Sequence, residues 1–492
     1  MSASTTPDSQ HQTLFRALRA LLPAASVLTD AEDLRPFECD GLSVYRRLPL
    51  VVVLPETVAQ VQAIMRLCSE MNIPVVARGA GTGLSGGALP LEDGVLLSLA
   101  KFNKIIDLDV ANAMARVQPG VRNLAISQAV SQHDLYYAPD PSSQIACTIG
   151  GNVAENSGGV HCLKYGLTVH NILQLKLVTV DGELLTIGAE TLDAPGYDLL
   201  ALMTGSEGML GIIVEVTVKL LPIPDRAQVI LAAFDDVVKA GEAVGAIIAA
   251  GIIPAGLEMM DKLAIQAAED FAHAGYPRDA AAILLCELDG TNAEVSEHVM
   301  AAREVLQLSG ATEVRTAKDE AERQLFWKGR KSAFPAVGRI SPDYYCMDGT
   351  IPRRELPRVL QQISEWSAEY GLPVANVFHA GDGNMHPLIL FDANKPGELE
   401  RTEEFGHKIL TLCVEVGGTI TGEHGVGMEK IDTMCVQFQS AELQQFHAVK
   451  HAFDPNGQLN PGKAVPTLHR CAEFGAMHVH NGQLAHPELE RF

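Results

Sequence analysis

Residues 75–88 read V-V-A-R-G-A-G-T-G-L-S-G-G-A, with five glycines in the nine positions 79–87, directly after an apolar strand. Glycines packed so densely strip Cβ atoms from one side of a turn, so that several backbone N–H groups can converge on an anion such as a pyrophosphate. A dinucleotide cofactor is the expected ligand. Gly81, Gly83 and Gly86 also satisfy G-x-G-x-x-G, and Asp107 follows at a spacing that suits a Rossmann site. A Rossmann loop, however, opens into a helix. Here it runs through Gly86-Gly87, Pro90 and Asp93-Gly94 into a second apolar strand at 95–99. A loop joining two strands binds phosphate through its own amides, which favours a flavin over a nicotinamide dinucleotide, the latter staying as a lesser alternative.

With 492 residues the chain exceeds what one core organises, so two domains or a discontinuous pair are expected. Its 37 basic and 60 acidic residues give a net charge of −23, which argues against nucleic acid or an anionic membrane as partner. The nine cysteines are scattered, odd in number and without C-x-x-C spacing, so neither a disulfide framework nor an iron–sulfur cluster of its own is expected. The longest apolar run, 243–257, is broken by glycine and proline and too short to span a bilayer, and the polar start shows no signal-peptide pattern. A cytoplasmic protein is expected, with peripheral attachment to the inner membrane through partners as an option.

In chain order, a strand at 51–54, a helix capped by Thr57 and a strand at 73–77 form a βαβ unit that feeds the glycine loop. The stretch 147–159, C-T-I-G-G-N-V-A-E-N-S-G-G, reads as a second open loop able to lie against a planar ring. A hairpin follows at 173–187, then G-S-E-G-M-L-G at 205–211 and a strand at 212–221. Beyond residue 226, strands at 229–233, 282–287 and 344–351 alternate with amphipathic helices at 293–308, 318–334 and 354–370. That pattern predicts an α+β domain with a mostly antiparallel sheet.

A second chemical site is suggested by residues 374–388, V-A-N-V-F-H-A-G-D-G-N-M-H-P-L. With Asp382-Gly383 as the central pair of a two-residue turn, His379 faces His386 across the hairpin, with Cβ atoms about 5 Å apart, a spacing that suits one shared metal ion. T-I-T-G-E-H-G-V-G at 419–427 adds Glu423 and His424 on a glycine-flanked turn. Two histidines and one glutamate leave coordination positions open, as a catalytic site requires, although a histidine pair on a hairpin also occurs as mere packing. Arg330, in L-F-W-K-G-R-K, offers a planar cation for a substrate carboxylate, though an arginine beside a tryptophan is commonly a surface residue.

Together, R-G-A-G-T-G-L-S-G-G, P-D-P-S-S, T-I-G-G-N-V-A-E-N-S-G-G, G-S-E-G, H-A-G-D-G-N-M-H and T-G-E-H-G-V-G resemble the FAD-linked oxidases of the vanillyl-alcohol oxidase/p-cresol methylhydroxylase type. Within that family the pattern is similar to the branch of bacterial glycolate oxidase flavin subunits, D-lactate dehydrogenases and D-2-hydroxyglutarate dehydrogenases. The resemblance implies a two-lobed FAD-binding domain at 1–225 and an α+β cap at 226–418. A segment at 419–466 would return to the FAD domain, followed by a tail at 467–492. FAD would be held by Arg78, Gly79, Ala80, Gly81, Thr82, Gly83, Leu84 and Ser85. Asp140, Ser142, Gly150, Asn152, Ala154, Glu207, Gly208 and Ile213 would add further contacts, with Asn460 near the ring.

It further implies a divalent metal, zinc, on His379, His386 and Glu423, with His424 as base and Arg330 on the substrate carboxylate. The expected reaction is oxidation of a small 2-hydroxy acid, with hydride passing to the flavin and electrons to an iron–sulfur subunit, in a complex with a second flavin-type subunit. Relatives can carry a lysine where Cys346 stands here, which suits a substrate with one carboxylate. No His or Cys lies in the glycine loop for covalent flavin attachment. A non-redox flavoenzyme of the ether-lipid synthase kind is the alternative from another reaction class.

Overall fold

A computed structural model describes residues 9–191 and 196–467. The part of the expected tail beyond residue 467 lies outside them. The chain divides into two compact units: residues 1–157, 168–222 and 424–492, and residues 158–167 and 223–423. The second unit thus takes the short segment 158–167, which the sequence reading left with the first, and the return to the first unit begins at residue 424.

The first unit opens with the βαβ arrangement. The helix Val58–Met71 starts on a reciprocal capping box between Thr57 and Gln60, buries Val61, Ile64, Met65 and Cys68 on one face, and stops where Asn72 turns left-handed at φ 54°. Strands β1 (Val27–Leu28), β2 (Val51–Val53), β3 (Val75–Arg78) and β4 (Val95–Ser98) form a sheet in the order β1-β2-β4-β3. β3 and β4 are parallel neighbours, with Arg78 opposite Ser98. A parallel pair cannot be closed by a tight turn. The glycine loop therefore carries the chain back along the sheet without a helix, as its composition predicts.

Strands β5 (Ile105–Asp109), β6 (Met114–Val117), β8 (Ile172–Val178), β9 (Leu184–Gly188) and β10 (Ile212–Lys219) form an antiparallel sheet in the order β5-β6-β10-β8-β9. A separate ribbon joins β7 (Leu135–Tyr136) to β11 (Leu221–Pro222). The stretch 147–159 is not the open loop expected of it. Ile149–Glu155 is helical, because Ile149 and Val153, one turn apart, both bury into the core beside Leu175 and Val216.

The second unit is built on a seven-stranded antiparallel sheet, order β15-β12-β14-β13-β17-β18-β16. Its strands are β12 (Arg226–Phe234), β13 (Gly256–Asp261), β14 (Ala282–Gly290), β15 (Glu313–Thr316), β16 (Asp343–Cys346), β17 (Val374–Phe378) and β18 (Pro387–Phe391). Its longer helices are Val237–Ala249, Lys262–Ala272, Asn292–Leu308, Glu320–Lys331, Leu356–Tyr370 and Glu398–Glu415. The apolar run 243–257 covers the end of the helix Val237–Ala249, the connection after it and the first two residues of β13, so it is not one continuous helix. No helix among the described residues is long and apolar enough to cross a membrane.

Candidate active site

In the first unit, the glycines shape a cradle whose walls are backbone. Gly81 and Gly86 sit at φ +70° and +74°, and a Cβ on Gly79 would lie 2.3 Å from Thr148 Oγ1. Around Gly83 nothing stands within 4 Å of such an atom, so this part of the loop faces open space. The Gly41 N–H donates to the Gly83 carbonyl at 2.8 Å, while Met428 and Glu429 donate theirs to the Ser85 carbonyl at 2.9 and 3.1 Å. Ser85 Oγ and Thr148 Oγ1 are buried without a hydrogen-bond partner. Orphaned hydroxyls beside bare loop amides fit a polar ligand such as the phosphates of a dinucleotide.

The other residues expected at the cofactor are found in several settings. Arg78 is buried, its guanidinium 5.7 Å from the centre of the Phe37 ring. Ala80 is exposed, and Thr82 and Leu84 are half-buried along the loop. Asn152 donates to Asn123 Oδ1, and Asn123 to the Pro139 carbonyl, both at 2.8 Å, which ties the helix 149–155 to the stretch holding Asp140 and the exposed Ser142. Gly150 closes on Pro119, whose carbonyl accepts its N–H at 2.8 Å. The Ala154 carbonyl accepts the Glu207 N–H at 2.8 Å, Gly208 follows at φ +70°, and Ile213 is part of the hydrophobic core. Asn460 clamps the loop: its Nδ2 donates to the carbonyls of Gly87 and Glu207 at 3.0 and 2.7 Å.

Glu155 was not singled out from the sequence, yet it comes close to Glu207. Both carboxylates lie within 3.0 Å of where a Gly425 Cβ would stand, and the N–H groups of Val426 and Gly427 each donate to Glu207 at 2.7 Å. Burial, then the charges of Glu207 and Asp40, push the Glu155 carboxyl well above its ordinary range.

In the second unit the hairpin exists, but its register differs from the expectation. Asn376 pairs with Pro387 and His379 with Asn384, so the connection comprises the four residues 380–383 and His379 is not directly opposite His386. The longer turn is closed by the Gly383 N–H donating to the His379 carbonyl, with Gly383 at φ +79°. Sliding both strands by one residue leaves His386 diagonal to His379 on the same face. The rings still meet, with centroids 5.2 Å apart and planes at 88°.

Both imidazoles are held from behind. His379 Nδ1 lies 2.8 Å from Glu258 Oε1, and His386 Nδ1 lies 3.1 Å from the Met347 carbonyl. Those oxygens can only accept, so each Nδ1 carries the proton and each Nε2 turns its lone pair forward. The two Nε2 atoms converge on Glu423 Oε1 at 3.2 and 3.0 Å. Three electron-pair donors aimed at one point require a cation between them. Without a metal, that cation is a proton. Burial opposes charge on His379, but Glu258 and Glu423 outweigh it and raise the ring well above its ordinary range. Burial likewise opposes ionisation of Glu423, and hydrogen bonds from His379 and His386 overcome it, holding the carboxyl well below its usual range.

The turn bearing Glu423 is fixed by Asp348, which has no exposed surface and accepts the N–H of Gly422 at 3.0 Å and that of Glu423 at 3.2 Å. Glu423 Oε2 in turn accepts the Gly158 N–H at 2.9 Å. Arg330 departs from its expected role. Its side chain is 1% exposed, and Nε and Nη2 both engage Glu258 Oε2, at 2.9 and 2.6 Å. A guanidinium so enclosed is committed to a protein carboxylate rather than to one arriving with substrate. His424 is the next residue after Glu423 and the first of the first unit's closing segment.

Residues 49–188 match the model of the FAD binding domain and residues 223–464 that of the FAD linked oxidases, C-terminal domain. The glycolate oxidase subunit GlcD of Escherichia coli (strain K12) is 68% identical over 99% of this chain and 97% of its own length. A D-lactate dehydrogenase of Anaerostipes hadrus is 33% identical over 89% of this chain and 94% of its own. In fold, the chain superposes on p-cresol methylhydroxylase with a TM-score of 0.80, covering 95% of this chain and 99% of that one at 19% identity. With a flavin-type cradle in one unit, a fold shared with p-cresol methylhydroxylase and close relatives along nearly its full length, this chain belongs to the FAD-linked oxidases.

Proposed function

We propose that this chain is the flavin-bearing subunit of an enzyme that oxidises glycolate to glyoxylate, with D-lactate as a further substrate. The observation that carries the reading is the convergence of His379 Nε2, His386 Nε2 and Glu423 Oε1 on one point, in a chain 68% identical to a glycolate oxidase subunit. A divalent ion, zinc in our reading, fits that set of two imidazoles and a carboxylate and would act there as a Lewis acid on the substrate's α-hydroxyl. FAD, held by the cradle from Arg78 to Ser85, would accept the two electrons of the Cα–H bond.

The protein's own residues orient and exchange protons. His379, His386 and Glu423 are pre-aligned by Glu258, Met347 and Asp348, so little reorganisation accompanies substrate binding. His424, placed by the chain beside Glu423, is the base that takes the hydroxyl proton. Cys346, with no lysine at its position, leaves the site suited to an acid with a single carboxylate, against a 2-hydroxyglutarate-type substrate. The electrons then leave through a partner, an iron–sulfur subunit assembled with a second flavin-type subunit. Such a partner could also tether the complex to the inner membrane.

Anaerobic titration of the purified flavoprotein tests this. Glycolate should bleach the flavin band, D-lactate should do so more weakly, and chelation should stop bleaching while leaving the oxidised spectrum intact. His424→Ala should retain the flavin and lose the bleaching. A flavin that no 2-hydroxy acid reduces would overturn the reading.

A further inference from the structure

We infer that Glu258, braced by Arg330, is a positioning residue for the metal site: it fixes the ring of His379 so that Nε2 faces the ion. The inference rests on the metal reading above. Glu258 lies on β13, paired with Leu285 of β14 inside the seven-stranded sheet. On its other side β13 pairs with β17, Met259 opposite Phe378, and continuing that register by one residue sets Glu258 across from His379. The contact is therefore a product of strand alignment rather than of a flexible side chain finding a partner. Both side chains are buried, Glu258 to 1% exposure.

The two metal-facing rings are not supported alike. His386 Nδ1 is hydrogen-bonded to a neutral backbone carbonyl, with Asp348 Oδ1 no nearer than 4.0 Å, whereas His379 Nδ1 is hydrogen-bonded directly to a carboxylate. A carboxylate behind an imidazole fixes its tautomer, restricts its rotation and makes its free nitrogen a stronger donor to a metal. A carboxylate buried this deeply needs a permanent countercharge to stay an acceptor, and a guanidinium provides one at any pH a protein tolerates. Arg330, from the helix Glu320–Lys331, does so through two of its nitrogens. Its place in the site is thus one carboxylate and one imidazole behind the point where the donors meet.

The test uses Zn2+ as probe on the flavin-loaded protein, in competition with a fluorescent chelator. Glu258→Leu combined with Arg330→Met removes both members of the buried pair without orphaning either. It should leave the flavin spectrum in place yet weaken zinc binding by about 10–100-fold, the usual effect of losing a supporting carboxylate. Glu258→Gln combined with Arg330→Met, which restores a neutral acceptor, should recover part of that loss. Zinc affinity in the Leu/Met variant within twofold of wild type would overturn the inference and leave the metal reading standing. Wild-type protein that takes up no stoichiometric zinc would overturn both. A zinc-bound crystal structure of the wild-type chain decides the matter without any variant: the ion must lie on Nε2 of His379 with Nδ1 on Glu258, and an ion on Nδ1 refutes the inference.

Discussion

Each unit of this protein holds a pair of enclosed glutamates close to a glycine-rich turn, and the two pairs behave in opposite ways. In the second unit Glu258 and Glu423 face imidazoles and a guanidinium, and although burial disfavours their charge, both are held below the ordinary carboxylate range. In the first unit Glu155 and Glu207 approach each other, and burial raises both, against the pull of Lys430 and Lys463. Lys463 is a weak counterweight, because burial pushes its own ammonium down to about 7 and its Nζ is spent on the Gly87 carbonyl and Asn460 Oδ1. The same residue type is thus favoured as an anion beside arginine and histidine, and pushed towards its neutral form where it is buried beside another glutamate. Ionised carboxylates suit a cation.

The sharpest way to break this contrast is to remove the anion at the donor centre. Glu423→Ala should leave zinc below a tenth of an ion per chain by elemental analysis and slow flavin reduction by glycolate on the order of 10³-fold, with the flavin itself retained. Less drastic is Arg330→Met alone, which leaves Glu258 with His379 as its remaining partner. Losing one partner of a buried pair costs about 3 kcal/mol or more, so chemical denaturation should show the second unit destabilised by that amount while the first is unchanged.

The smallest effect is expected at the other pair. A carboxyl whose folded-state pKa is raised contributes stability that is fully present below its unfolded value, near 4.5, and lost as pH rises towards the folded value. Stability should therefore fall as pH rises above about 5. Glu155→Gln should flatten that fall and be more stable than wild type at pH 8, as read from unfolding midpoints across the range. A variant whose pH dependence matches wild type would place the proton elsewhere.

The two regions also differ in how much their sequence disclosed. The glycine cradle was legible because it is made of backbone: the absence of Cβ atoms and of a following helix is written in the residues themselves. The helix at 149–155 escaped because three of its residues, Gly150, Gly151 and Asn152, are poor helix formers, and its stability comes from packing Ile149 and Val153. In the second unit Asp382-Gly383 announced the hairpin correctly, but not the register, which was settled by a four-residue turn closed on Gly383. The error was harmless to the site, since a slip of one residue on each strand keeps both histidines on one face. Glu258 was invisible for a different reason. It stands 121 positions before His379 and 72 before Arg330, and only the alignment of β13 with β17 brings them together.

Gly383 carries a last implication. It donates no side chain to anything, yet a methyl group there would stand 2.1 Å from the Ile351 carbonyl. Any other residue would lever the β17–β18 corner away from its neighbour and pull the imidazoles out of common focus. A saturation screen scored on turnover would therefore rank this chemically mute position alongside the ligands. Reading such a map as a roster of reacting groups would confuse a clearance with a function.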